Sequence, residues 1–152
     1  MRKTMLAGVV LVLAAAAARA EAPGGVGVGV VAGDPTGGTA RVFLSRDQSL
    51  DFGVGFSEDT AFWVDYVFHA WDLFPAVEKG RLSAWVGAGP RIETASDAEF
   101  GVRTILGASY WLPDHPVELF ATAGPVFRMT PRGGVDADGG IGLRFYFAGA
   151  SR

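Results

Sequence analysis

The feature that most constrains this chain is a two-residue alternation that returns in run after run from Gly25 to Phe147. In residues 139–147 the positions Ile141, Leu143, Phe145 and Phe147 are apolar, while Gly140, Gly142, Arg144 and Tyr146 are small, charged or hydroxylated. Successive side chains of a strand point to opposite faces, so this run reads as a strand with one greasy and one polar face. Seven earlier runs share the pattern: 25–31, 39–45, 50–57, 61–71, 82–93, 101–112 and 117–129. Between them stand turn clusters such as Asp34-Pro35-Thr36-Gly37-Gly38 and Pro113-Asp114-His115-Pro116. Eight such strands joined in order by short turns predict an all-β fold, an eight-stranded antiparallel up-and-down barrel closed by the last strand.

A closed barrel leaves open which face points out. A soluble barrel turns its apolar face inward, whereas a transmembrane barrel reverses the assignment. Across the runs the apolar face carries almost no ionisable group. The polar face mixes many glycines with Arg41, Asp51, Asp65, His69, Arg91, Glu93, Arg103, Glu118, Arg128 and Arg144. That set holds five arginines against four carboxylates, close to neutral, as charges that pair with one another inside a barrel should be. Glycines such as Gly53, Gly87, Gly107 and Gly142 suit an eight-stranded interior, which has room only for side chains. The expectation is therefore a transmembrane β-barrel with a filled, charge-paired lumen and no wide pore. The competing expectation is a soluble periplasmic or exported barrel that binds a small apolar ligand inside.

The first residues place that barrel in a cell. Met1-Arg2-Lys3, an apolar segment 5–18 and the small-x-small triplet Ala18-Arg19-Ala20 match a cleaved secretory signal peptide. The apolar segment falls short of the ~20 residues a spanning helix needs. Cleavage after Ala20 leaves a single domain, residues 21–152, and moves the net charge from −3 to −6. An acidic chain argues against nucleic acid as a partner. The absence of cysteine removes thiolate, disulfide and lipoprotein chemistry.

The pattern as a whole resembles the small eight-stranded outer-membrane barrels of the OmpA type. More narrowly it is similar to a family of functionally uncharacterised bacterial outer-membrane barrels. The residues that carry the likeness are Asp65-Tyr66-Val67-Phe68-His69, Val86-Gly87-Ala88-Gly89-Pro90-Arg91-Ile92, Gly101-Val102-Arg103 with Leu106-Gly107, Val117-Glu118-Leu119-Phe120, and 138–147. The terminal Gly142, Phe145 and Phe147 resemble the signal read by the barrel-insertion machinery, departing from its usual form in that 148–152 follow the last aromatic. The resemblance implies an integral protein of the bacterial outer membrane, with lipid and that machinery as its partners and no cofactor.

Catalysis is not expected. His69 and Asp65 stand four residues apart in one strand, ~13 Å along it at ~3.3 Å per residue, too far for a dyad. No nucleophile, base and acid, and no metal-ligating set, are spaced for one another. All four tryptophans, Trp63, Trp71, Trp85 and Trp111, take the polar parity, against the usual lipid-side aromatic girdle. They are expected to fill the lumen or, for Trp71 and Trp111, to plug its periplasmic mouth or turn to the interface. Pro90 and Pro125, each after a glycine and each eight residues into its run, predict either a paired bulge near the outer rim or the ends of both strands. With the amino terminus periplasmic, an outside partner would meet loops 34–38, 58–60, 94–99 and 131–138, and the protein is expected to be a monomer.

Overall fold

The computed structural model describes residues 25–147. The signal-peptide reading of 1–20 and the tail 148–152 lie outside the described residues. The elements in order are β1 (Val26–Asp34), β2 (Thr36–Phe43), β3 (Gln48–Phe56), β4 (Thr60–Ala70), β5 (Arg81–Thr94), β6 (Ala98–Trp111), β7 (Val117–Thr130) and β8 (Gly134–Phe147). Each pairs antiparallel with the next, and β8 pairs back onto β1 from Val26 opposite Phe147 to Asp34 opposite Gly139. The sheet is thereby a closed barrel with no free edge.

Each of the eight alternating runs coincides with a strand, though 25, 44–45, 57, 71 and 112 fall just outside the strand ends, and several strands are longer than the alternation suggests. β8 begins at Gly134, not near Gly139, because Gly134 to Asp138 pair with β7 up to Arg128. The loops expected at 34–38, 94–99 and 131–138 shrink to residue 35 and to 95–97 and 131–133, and the one expected at 58–60 lies at 57–59. Glycine and aspartate carry poor intrinsic strand preference, yet a neighbouring ladder recruits them. The longer connections lie at the end that holds Gly25 and Phe147. They are 44–47, 71–80 and 112–116.

The two prolines neither end their strands nor shift the register. β5 continues through Pro90, opposite Val102 of β6, and β7 through Pro125, opposite Ala137 of β8. On the other side of each proline, the β4–β5 pairing is interrupted between Trp63 and Tyr66 and the β6–β7 pairing between Arg103 and Leu106. A residue without an N–H cannot donate there. The preceding glycines serve the same spot: a Cβ at Gly89 would strike the carbonyl of Val64, and one at Gly124 that of Thr104. The one register shift between β6 and β7 falls at Phe100/Gly101, so the expected bulge pair is corrected to two in-register ladder gaps.

The faces sort as the membrane reading requires. Trp63, Val67, Trp85, Ile105, Phe120 and Tyr146 are buried inside together with eight of the ten charged and histidine positions, while Glu93 and Arg128 are half-buried. Val30, Val86, Leu106, Ile141 and Leu143 point outward, with Leu106 and Ile141 each 68% exposed. This contradicts the apolar interior required by the soluble ligand-binding alternative. The outward aromatics are graded along the barrel. Phe56, Phe62, Phe100 and Phe127 lie toward the strand ends opposite the termini, and Phe68, Tyr110, Phe145 and Phe147 toward the terminus end. Aliphatic residues occupy most of the band between them, with Phe52 and Tyr66 as mid-strand exceptions.

Candidate functional site

The interior charges fall into two clusters, and strand register explains both. In the lower one, toward the terminus end, Arg41 of β2 stands directly opposite Asp51 of β3, and Glu118 of β7 directly opposite Arg144 of β8. Between these pairs runs β1, whose inward residues there are Gly27 and Gly29. Because β1 contributes no inward side chain at that height, the two pairs meet across it. Arg41 binds both oxygens of Asp51 at 2.6 Å and reaches Glu118 Oε1 at 2.8 Å. Arg144 reaches Asp51 Oδ2 and Glu118 Oε2, each at 3.2 Å, and Thr39 Oγ1 at 3.1 Å. Two guanidinium groups and two carboxylates thus alternate in a closed ring. Glu118 also accepts from the Ser109 hydroxyl at 2.5 Å and the Tyr146 hydroxyl at 2.6 Å.

Like carboxylates directly opposite one another repel, and Asp51 faces Asp65 in the β3–β4 register. The chain resolves this by dividing them between clusters. Arg41 and Arg144 hold Asp51, while Arg103 takes Asp65, with Nε 3.1 Å from Oδ2. Arg103 Nη1 donates to Asp138 Oδ2 at 2.9 Å. Arg91 stands 3.5 Å from the same oxygen and 2.8 Å from Glu93. This upper cluster is looser: the Arg103 Nε–H is not aimed at Asp65, and neither buried Asp65 oxygen receives a hydrogen bond from the described residues. Arg128 is separate from both, at the rim, 3.0 Å from Asp136 and 3.8 Å from Glu99.

Nine of the ten residues singled out as lumen charges therefore enter ion pairs, and His69 is the exception. Its Nε2 lies 2.9 Å from the Ser49 hydroxyl, and Ser49 lies 3.3 Å from Asp51. Asp65 belongs to the other cluster, so no His69–Asp65 dyad forms. The Ser49–His69 pair went unseen in the sequence because β3 starts at Gln48, ahead of its first clear alternation. Ser49 is completely buried, His69 Nδ1 meets no partner among the described residues, and Phe43 and Trp71 pack on the imidazole. That setting holds the histidine between aromatic rings inside the barrel. The sequence reading also missed Asp138 and Tyr146. Asp138 falls in the glycine-rich stretch 131–138 that reads as a loop, yet the parity of β8 continues back through Asp136 to Gly134 and turns Asp138 inward. With Asp138 the named arginines and carboxylates stand five to five.

The four tryptophans all turn inward or across the mouth. Arg103 stacks over Trp63 at 4.9 Å and Arg41 over Trp85 at 4.6 Å, while Trp85 Nε1 donates to Ser109. Below the lower ring, Phe43, His69, Trp71, Trp111 and Tyr146 pack ring against ring, with centroids 4.8–6.2 Å apart. Trp71 and Trp111 thus close the barrel at the terminus end. The girdles are built of phenylalanine and tyrosine instead. Gly142, Phe145 and Phe147, the expected insertion signal, lie on β8, with the two phenylalanines outward and ring centroids 5.2 Å apart.

This geometry is that of a barrel filled at two levels and stoppered below. No protein-family model and no curated protein sequence matches the chain. Among solved structures it is similar to the N-terminal β-barrel domain of Pseudomonas aeruginosa OprF, with TM-score 0.60 and 16% identity over 80% of this chain and 96% of that one. At that identity the likeness concerns the fold, a closed eight-stranded antiparallel barrel.

Proposed function

We propose that this chain is an integral barrel of the bacterial outer membrane, and that its role is structural rather than catalytic or pore-forming. The observation that carries the reading is the outer face. An apolar belt between two aromatic rings runs round the barrel, while every buried charge is inside. Contiguous exposed apolar patches on soluble monomers rarely exceed a few hundred Å², whereas here exposed large apolar side chains stand on seven of the eight strands, and β2 adds the half-buried Ala40. The height of the belt also fits. Nine residues at ~3.3 Å with a tilt of ~40° rise about 23 Å, against the ~25 Å apolar band of such barrels.

Two features support a structural role. The lumen is occupied by the ion-pair ring and the aromatic stopper, so it offers neither a channel nor a ligand cavity on the scale of the barrel. The turns at the end opposite the termini are one to three residues long, which leaves little surface for an extracellular partner. The Ser49–His69 pair, sealed within, gives no support to an enzymatic reading. The assignment is tested by fractionation and gel mobility. The protein should be extracted from membranes only with detergent and should change its mobility on heating. A protein that remains soluble without detergent and shows no heat shift would overturn the reading.

A further inference from the structure

The connection 71–80 is the longest between strands and lies at the terminus end, where barrels of this class have short turns. It leaves the lumen and arrives on the outer face. Trp71 is set in the aromatic stopper and donates from Nε1 to the Arg46 carbonyl at 2.7 Å. At the other end the Tyr110 hydroxyl donates to the Lys79 carbonyl at 3.2 Å, and Tyr110 is one of the outward aromatics of the lower girdle. Gly80, at φ +76°, lies so close that a Cβ there would stand 2.5 Å from the Trp111 carbonyl and 2.8 Å from the Tyr110 ring. Arg81 folds back over Trp71 at 4.4 Å. The segment is therefore pinned at both ends and laid over the barrel's lower edge.

Between the pins it displays Leu73, Phe74 and Val77, which are 67%, 38% and 38% exposed. Charged residues flank them: Asp72 before, Glu78, Lys79 and Arg81 after. The pinned loop thus leaves Leu73 largely uncovered and more than a third of Phe74 and Val77 open, an apolar surface at the edge of the outward aromatics. Its tie to Tyr110 makes that surface continuous with the apolar belt. We infer that 71–80 is an interfacial anchor that lies in the headgroup–acyl boundary of the leaflet at the terminus end, with Leu73, Phe74 and Val77 in the acyl region and the flanking charges among the headgroups. The apolar face of an interfacial amphipathic helix lies ~5–10 Å into that boundary, and a loop with apolar residues between charged ones is placed there by the same balance. The inference rests on the membrane reading above and goes beyond it, since the belt alone requires no such loop. It assigns the loop to lipid and not to a soluble partner.

The test uses the absence of native cysteine. Single variants Leu73→Cys, Val77→Cys, Leu143→Cys and His115→Cys are labelled with an environment-sensitive fluorophore and folded into phosphatidylethanolamine–phosphatidylglycerol vesicles. Nitroxide lipids spin-labelled near the headgroup or deep in the acyl chain, and aqueous iodide, serve as quenchers. Labels at 73 and 77 should lose most fluorescence to the shallow nitroxide, less to the deep one, and little to iodide. The label at 143 should respond to the deep nitroxide, and that at 115 to iodide. If 143 responds as expected while 73 and 77 are quenched by iodide as strongly as 115, the loop stands in water and the anchor is overturned with the membrane reading intact. If 143 is also reached only by iodide, both fall.

Discussion

At the scale of the residue, Glu118 is the keystone of the interior. It is completely buried and accepts from Arg41, Arg144, Ser109 and Tyr146. Removing one partner of a buried ion pair strands the other, at a cost of about 3–5 kcal/mol, whereas the intact pair adds far less over an apolar substitute. Glu118→Gln should therefore lower the unfolding free energy in urea titrations of the micelle-folded protein by an amount in that range. Asp65→Asn should cost less than half as much, because Asp65 has one misaligned arginine where Glu118 has four donors. Equal costs would show that the two clusters are equally bound. The identities of these residues were legible from parity alone. Their division into a closed ring and a looser cluster was not, because it depends on which positions face each other across strands, and a single sequence does not fix register.

At the scale of the element, each strand must fit large rings and bulky charges into a lumen only eight strands round. The solution is a cross-strand pairing of aromatic with glycine: Tyr146 opposite Gly27, Trp63 opposite Gly53, Trp85 opposite Gly107 and Phe120 opposite Gly142. In each case the ring lies where the glycine's Cβ would be. Glycine in a strand ordinarily costs ~0.5–1 kcal/mol relative to alanine. At Gly107 that preference should be reversed, since overpacking costs ~1–3 kcal/mol and Trp85 would also be pushed from Ser109. Gly107→Ala is expected to lower the unfolding midpoint and weaken the near-ultraviolet tryptophan circular dichroism. A variant as stable as the parent would show that Trp85 has room to move. The abundance of glycine on the polar face was visible in the sequence, and so was the reason for it. The strand ends were not legible, above all in 131–138, because turn-forming residues there have little local strand preference and the ladder to β7 overrides it.

At the scale of the whole molecule, the barrel is closed twice, by the ion-pair ring and by the aromatic stopper beneath it. Arg103→Leu leaves Asp65 without its paired cation and Asp138 with Arg91 at 3.5 Å, but touches neither seal. It should lower the unfolding temperature while planar bilayers containing the variant show no added ion current, and sustained current would contradict the filled-lumen account. The fold class, the strand count and the direction of each face could be read from alternation. The tryptophans counted against that direction until their rings were found over glycines and across the mouth. On the membrane reading the apolar parity meets hydrocarbon and the polar parity does not. The direct measurement places labelled cysteines at Leu119, Ala121, Ile141 and Leu143 on the outer face and at Thr122 on the inner, in vesicles carrying acyl-chain nitroxides. Quenching at the four outward sites and none at 122 is the expected result. Outward labels reached by aqueous iodide and untouched by the nitroxides would contradict it.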